Sequence, residues 1–147
     1  MLPQGGVFDG RTHLFPLRVF FEDTDAAGIV YYANYLRFAE RARSDMLRLI
    51  GIDQRAALDG GDGVYAVAEA HIRYKRPARL DDALVVRSEL TAVTAATATI
   101  HQRVMRGTEL LADVTVVAAF LSPEGRPQRQ PKAWLDLFRP LLAKENA

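Results

Sequence analysis

The stretch Val19–Arg43, VFFEDTDAAGIVYYANYLRFAERAR, decides how the rest of the chain is read. It begins in a β-rich run, crosses a short acidic loop with one glycine, and enters a segment of helical period. That order sets Glu22, Asp23 and Asp25 beside the start of a helix. A helix start leaves its first backbone N–H groups unpaired and carries the positive end of the helix dipole. Carboxylates placed there cap the helix or close an Asx turn. Facing free N–H groups, a carboxylate is also half of an active site for attack on a carbonyl. Like charges this close repel one another, so three acids in one loop exceed what capping requires.

From about Tyr31 the apolar residues recur with helical period. Tyr35, Phe38, Ala39, Ala42, Met46 and Leu49 share a face, widened by Leu36, Leu47 and Ile50; Arg37, Glu40, Arg41, Ser44 and Arg48 lie mostly opposite. Gly51 reads as the stop after the helix. Asp53–Leu58 reads as a second short helix, ended by Gly60–Gly61. Upstream, Leu14–Phe21 reads as the first strand, with Pro16 at its start or on an edge. Residues 1–13 read as a loose arm. Downstream, Gly63–Lys75 alternates, with Ala66, Ala68, Ala70, Ile72 and Tyr74 on one side. Ala83–Ala92, Thr97–Met105 and Glu109–Leu121 complete the strands, the last two joined at Arg106-Gly107-Thr108. Residues 132–143 read as a C-terminal helix over a sheet edge.

The expected architecture is a single α+β domain over residues 1–147, with about five antiparallel strands facing one long helix. A helix of about 17 residues spans about 25 Å, enough for a sheet to wrap. The mixed polar face of the strands fits a second subunit or a ligand.

Composition narrows the function. The chain has 147 residues and a net charge of +1, from 19 basic and 18 acidic side chains, which argues against nucleic acid as the main partner. There is no cysteine, which removes disulfides, thiol catalysis and cysteine-held metals and fits a reducing cytoplasm. No stretch approaches the length of a membrane span, and no secretory signal pattern opens the chain. Ser44, Ser88 and Ser122 lack an activating pattern, and His13, His71 and His101 lack metal-ligand spacing. Phosphate-cradling glycine loops are absent, and Gly60-Gly61-Asp62-Gly63 reads as a flexible turn. No metal or separate cofactor is expected. Carboxylate chemistry is what remains.

The motif DTDAAGIVYYANYL, followed by Glu40 and Arg43, resembles the active-site signature of the 4-hydroxybenzoyl-CoA thioesterase family, which has the hotdog fold. Within it the chain is most similar to the bacterial YbgC-type acyl-CoA thioesterases, found with the Tol–Pal envelope genes. The resemblance runs over about Pro16–Leu121 and includes YKRPARLDD at Tyr74–Asp82. It implies hydrolysis of an acyl-CoA, or an acyl-carrier-protein thioester, with coenzyme A as part of the substrate. It singles out Asp25 as the catalytic carboxylate, acting as nucleophile or general base, and leaves Asp23 mostly structural. It makes the backbone N–H of Tyr32 the group that polarises the thioester carbonyl. Gly28 then lets the loop approach closely, and Asn34 and Tyr35 hold the loop and line the acyl pocket. Many YbgC-type members carry His where this chain has Tyr32; Tyr stands there in the hydroxybenzoyl-CoA enzymes. Some members bind the CoA phosphates through basic residues near the turn into the third long strand, but Thr91–Ile100 has none. Arg73, Lys75, Arg76 and Arg79 are the alternative, since arginine grips phosphate through a bidentate fork. The family also implies a homodimer or homotetramer. A thiolate leaving group, with a pKa of about 8.5, needs little help from a general acid.

Two other readings compete. A hotdog domain can hold an acyl group without cleaving it, as a scaffold linked to the cell envelope. A hotdog dehydratase needs a His/Asp constellation on the helix that this sequence does not display.

Overall fold

The computed structural model describes residues 1–142. Six strands form one antiparallel sheet: β1 (Val7–Asp9), β2 (Thr12–Arg18), β3 (Val64–Tyr74), β4 (Ala83–Val93), β5 (Thr97–Arg106) and β6 (Glu109–Leu121). Their spatial order is β1-β2-β4-β5-β6-β3. The long helix α1 (Asn34–Leu49) lies against β2, β4, β5 and β6. A short α2 (Gln54–Asp59) follows it, and α3 (Lys132–Phe138) sits against β4.

The apolar face of α1 supplies the centre of two clusters. Tyr35, Phe38 and Ala42 meet Val19, Val30, Leu84, Val86 and Val104. Further along the same helix, Met46 and Leu47 meet Leu90, Ile100 and Phe138. Leu49, read as part of the buried face, is largely exposed. That end of the helix instead turns Asp45 inward, onto His13.

Four expectations shift. The arm over residues 1–13 is in part a β-hairpin, because Val7–Asp9 pairs with Thr12–Leu14 around Gly10. That hairpin adds the sixth strand. The first strand ends at Arg18 rather than Phe21, because the Asp23 carboxylate accepts the Phe20 N–H at 2.8 Å and curls Phe21–Asp23 into a 3₁₀ turn. The strict alternation read for Gly63–Lys75 breaks at a bulge, where Val67 pairs with Ala118 and Glu69 with Val117, leaving Ala68 over. A bulge reverses which side faces the core, so Tyr65 packs inward before it and Ile72 after it. The C-terminal α-helix closes at Phe138, since Pro140 has no N–H to continue it, and a 3₁₀ turn follows at Arg139–Leu141. Ala143, the last residue of the expected helix, lies outside the described residues.

A buried polar knot ties the hairpin to α1. His13, fully buried, meets Asp45 at 2.7 Å through Nε2, and the Gly6 N–H donates to the same carboxylate oxygen at 2.9 Å. Arg48 adds a bond to the other oxygen at 3.1 Å. Burial lowers the proton affinity of His13 below the ordinary 6.5, outweighing the pull of the Asp45 carboxylate. At Asp45 burial works the other way, and the hydrogen bonds from Gly6, His13 and Arg48 outweigh it, so the carboxyl lies below its ordinary 3.8. Both groups bind protons more readily once unfolded, so each adds stability that grows with pH. The His13 contribution is complete above 6.5 and lost as pH falls below it; that of Asp45 is lost only below 3.8. Urea unfolding midpoints are therefore expected to fall between about pH 7 and about pH 5, with the His13 ring resonances titrating below 6.5. A ring titrating above that value would contradict the neutral buried imidazole.

Candidate active site

The acidic loop is built by backbone bonds around Asp25. Its N–H donates to the Ile29 carbonyl at 2.9 Å, and its carbonyl accepts from the Gly28 N–H at 3.1 Å. Gly28 has φ 77°, in the left-handed region, and a Cβ there would meet nothing within 4 Å. The turn thus holds Gly28 in a conformation that favours glycine, with no part of the described chain crowding it. One carboxylate oxygen of Asp25, Oδ1, accepts the Ala27 N–H at 2.8 Å, which fixes the side chain. Its other oxygen takes no hydrogen bond among the described residues, and the residue is exposed.

Asp23 has a different task. Its carbonyl accepts both the Tyr31 N–H at 2.9 Å and the Asn34 side-chain amide at 2.8 Å. These bonds clamp the loop to the start of α1. The helix start also differs: the reading from Tyr31 becomes a helix from Asn34, whose N–H closes a turn on the Tyr31 carbonyl. The Asn34 N–H donates to the Tyr31 carbonyl at 2.8 Å and so fixes the peptide unit that carries the Tyr32 N–H. That N–H has no acceptor among the described residues. The N-cap position holds Ala33, and no side chain caps the helix. The Tyr74 hydroxyl donates to the Tyr32 carbonyl at 2.9 Å, holding the next peptide as well.

Tyr35 is buried, and its hydroxyl accepts the Ala78 N–H at 2.9 Å. It anchors the turn that carries YKRPARLDD. Backbone bonds bring that turn against the acidic loop: Val30 N–H to Ala78 carbonyl at 2.9 Å, and a bridge between Ile29 and Arg79. Arg73, Lys75 and Arg76 are all exposed at and beyond the end of β3. Arg76 is paired with Glu109 at 3.0 Å, while Arg73 and Lys75 form no ion pair among the described residues. Arg106, paired with Asp82 at 2.8 Å and Glu109 at 3.4 Å, braces the same turn. The His13–Asp45 knot and Tyr74 carried no legible signal: His13 and Asp45 lie 32 residues apart and meet only through folding. Among the described residues no group of His, Asp and Glu is arranged to hold a metal ion.

A family model described as the thioesterase superfamily matches residues 27–112. The chain belongs to the thioesterase superfamily. The matched stretch of this thioesterase holds Gly28, Tyr32, Asn34 and Tyr35, and Asp25 lies just ahead of it. The acyl-CoA thioesterase YbgC of Haemophilus influenzae is 44% identical over 105 residues, 71% of this chain and 77% of that protein. The acyl-CoA thioester hydrolase YbgC of Escherichia coli is 35% identical over 133 residues, 88% of this chain and 98% of that one. The crystal structure of a probable thioesterase from Bartonella henselae superposes with a TM-score of 0.77 at 32% identity, covering 82% of this chain and 99% of that one. The thioesterase has the hotdog fold of these neighbours, with six strands where about five were expected.

Substitutions at Asn34 test the clamp. Asn34→Ala removes one hydrogen bond to the Asp23 carbonyl and is expected to lower stability by about 1 kcal/mol in urea unfolding. Asn34→Asp sets a carboxylate against that carbonyl and is expected to cost more. Wild-type stability in Asn34→Asp would contradict the clamp.

Proposed function

We propose that this chain hydrolyses acyl-CoA thioesters to a free acid and coenzyme A, with Asp25 as the acting carboxylate and the Tyr32 N–H as the group that polarises the carbonyl. Membership of the thioesterase superfamily makes it a thioester hydrolase, and relatives named acyl-CoA thioesterase support the acyl-CoA class. The observation that carries the mechanism is the pairing of two unsatisfied groups. A carboxylate oxygen of Asp25 and the Tyr32 N–H both lack partners among the described residues, and both stand on a loop and helix start locked together through Asp23.

In this reading the thioester oxygen sits on the Tyr32 N–H, where charge develops as the carbonyl is attacked. One preorganised donor of this kind is worth about 3 kcal/mol in hydrolases. The free oxygen of Asp25 then either attacks the carbonyl, giving an anhydride that water cleaves, or takes a proton from an attacking water. In both routes the thiolate of coenzyme A leaves. Asn34 and Gly28 hold the loop. Arg73, Lys75 and Arg76 are the residues we assign to the CoA phosphates; Arg76 must share its charge with Glu109.

The exposed edge of β3, with Val64 and Val67 open to solvent, supports assembly into a homodimer or homotetramer. Pairing two such edges removes a row of unpaired backbone groups. The proposal includes acyl-carrier-protein thioesters as an alternative substrate, no need of a separate cofactor, a cytoplasmic site of action and a link to the Tol–Pal envelope genes. Among the described residues no helix is long and apolar enough to cross a membrane.

Thiol release from a panel of acyl-CoAs tests the proposal. The intact protein is expected to turn over at least one acyl class, and Asp25→Asn to lose about 10²-fold or more in kcat. Full activity in Asp25→Asn would remove Asp25 from the mechanism. Binding of acyl-CoA without hydrolysis across the panel would favour the scaffold reading.

A further inference from the structure

Arg43 is the one lysine or arginine among the described residues that is buried, with 9% of its surface exposed. It forms no ion pair within those residues. One guanidinium N–H, on Nη1, donates to the Gln102 side-chain oxygen at 3.0 Å. Gln102 is itself fully buried and spends its amide on the Ala39 carbonyl at 2.8 Å and the Ser88 hydroxyl at 2.9 Å. Thus Gln102 grips one corner of the guanidinium and is rigidly held in doing so. A guanidinium has five N–H donors, so four are left without a partner among the described residues. None of its nitrogens is both sealed from solvent and unbonded, and the side chain lines a cavity of ≈ 140 Å³.

That cavity has two characters. Glu40 and Ser44 stand with Arg43 on one wall, and Leu47, Ile100 and Phe138 form apolar walls. Glu40, one turn earlier on α1, acts on Arg43 at a distance and does not close an ion pair with it. An apolar cavity of about 150 Å³ admits a benzene-sized body. A buried charge without an opposite charge is costly to keep. A ligand that brings an anion and a small apolar body satisfies both walls at once.

We propose that the Arg43 cavity is a binding site for a short apolar carboxylic acid, its carboxylate on the Arg43 guanidinium and its hydrocarbon body against Leu47, Ile100 and Phe138. The planar fork of arginine matches a carboxylate through two parallel hydrogen bonds. The site is separate from the reacting groups: Arg43 lies nine residues into α1, about 14 Å from its start. This ligand class is the one that thioester hydrolysis releases, so its physiological source rests on the proposed function. The binding itself does not.

Calorimetric titration of the intact protein tests the site, using butyrate, hexanoate and benzoate against their primary amides. The acids are expected to bind at least tenfold more tightly than the amides. Arg43→Met, close in volume, is expected to erase that preference while leaving the weak amide binding in place. Glu40→Gln is expected to tighten acid binding by removing a like charge from the rim. Asp25→Asn is expected to bind acid as the wild type does, which separates this site from the catalytic one. Equal binding of acid and amide, unchanged acid binding in Arg43→Met, or loss of it in Asp25→Asn would each overturn the proposal. If Arg43→Met does not fold, the Arg43 Nε–H resonance of the wild type decides. It is expected to shift with acid and not with amide, and an unmoved resonance overturns the site.

Discussion

The carbonyl of Asp23 is the joint on which the site depends. It accepts from the Tyr31 N–H and from the Asn34 side chain, while the carboxylate of the same residue accepts from Phe20. One residue thereby fixes where the strand ends, where the loop turns and where the helix begins. Asp25 rides on the loop side of this joint and the Tyr32 N–H on the helix side. A loop free to move would have to be ordered each time a substrate arrived, at a cost in backbone entropy. Held in advance, the two groups need no such ordering.

The start of α1 is also unusual in what it omits. An N-cap favours Ser, Thr, Asp or Asn, and alanine there typically forgoes about 1 kcal/mol of helix stability. This chain sets Ala33 at that position, with no side-chain cap. Three acids stand within reach of the sequence position, yet none spends its carboxylate on the helix N–H groups. Asp23 turns back to Phe20 and Asp25 to Ala27. The missing cap lowers the stability of the helix end, and the Tyr32 N–H just ahead of it, without an acceptor among the described residues, is a place for developing negative charge. The buried face of α1 offsets the loss, since Tyr35, Phe38, Ala42 and Met46 are held in the sheet's core.

The fold was legible where one signal dominates. Helical period placed the buried face of α1, and a glycine turn with alternating flanks placed β5 and β6. It was less legible where a backbone irregularity decides. The bulge at Ala68 reverses the facing of β3, and no residue type announces it. At the site, Asp25 and Tyr32 were named through resemblance, because chemistry alone left three acids equivalent. In the structure Asp23 and Asp25 each spend one carboxylate oxygen on a nearby N–H, of Phe20 and of Ala27, and Asn34 reaches back across the loop to the Asp23 backbone. Arg43 and Asp45 were hidden for a common reason: polar residues in a helix read as surface, and partners from distant strands, Gln102 and His13, draw them inward. Resemblance noted Arg43 in the motif but gave it no task.

The central claim is that the Tyr32 N–H, just ahead of the helix start, polarises the thioester carbonyl. Isotope-edited infrared difference spectroscopy reads that directly. An acyl-CoA carrying a ¹³C label at the thioester carbonyl is bound to Asp25→Asn, where it is not consumed. The account predicts that the carbonyl stretch moves to lower frequency than in water, because a preorganised donor takes up charge from the oxygen. A stretch unchanged or raised on binding would contradict it.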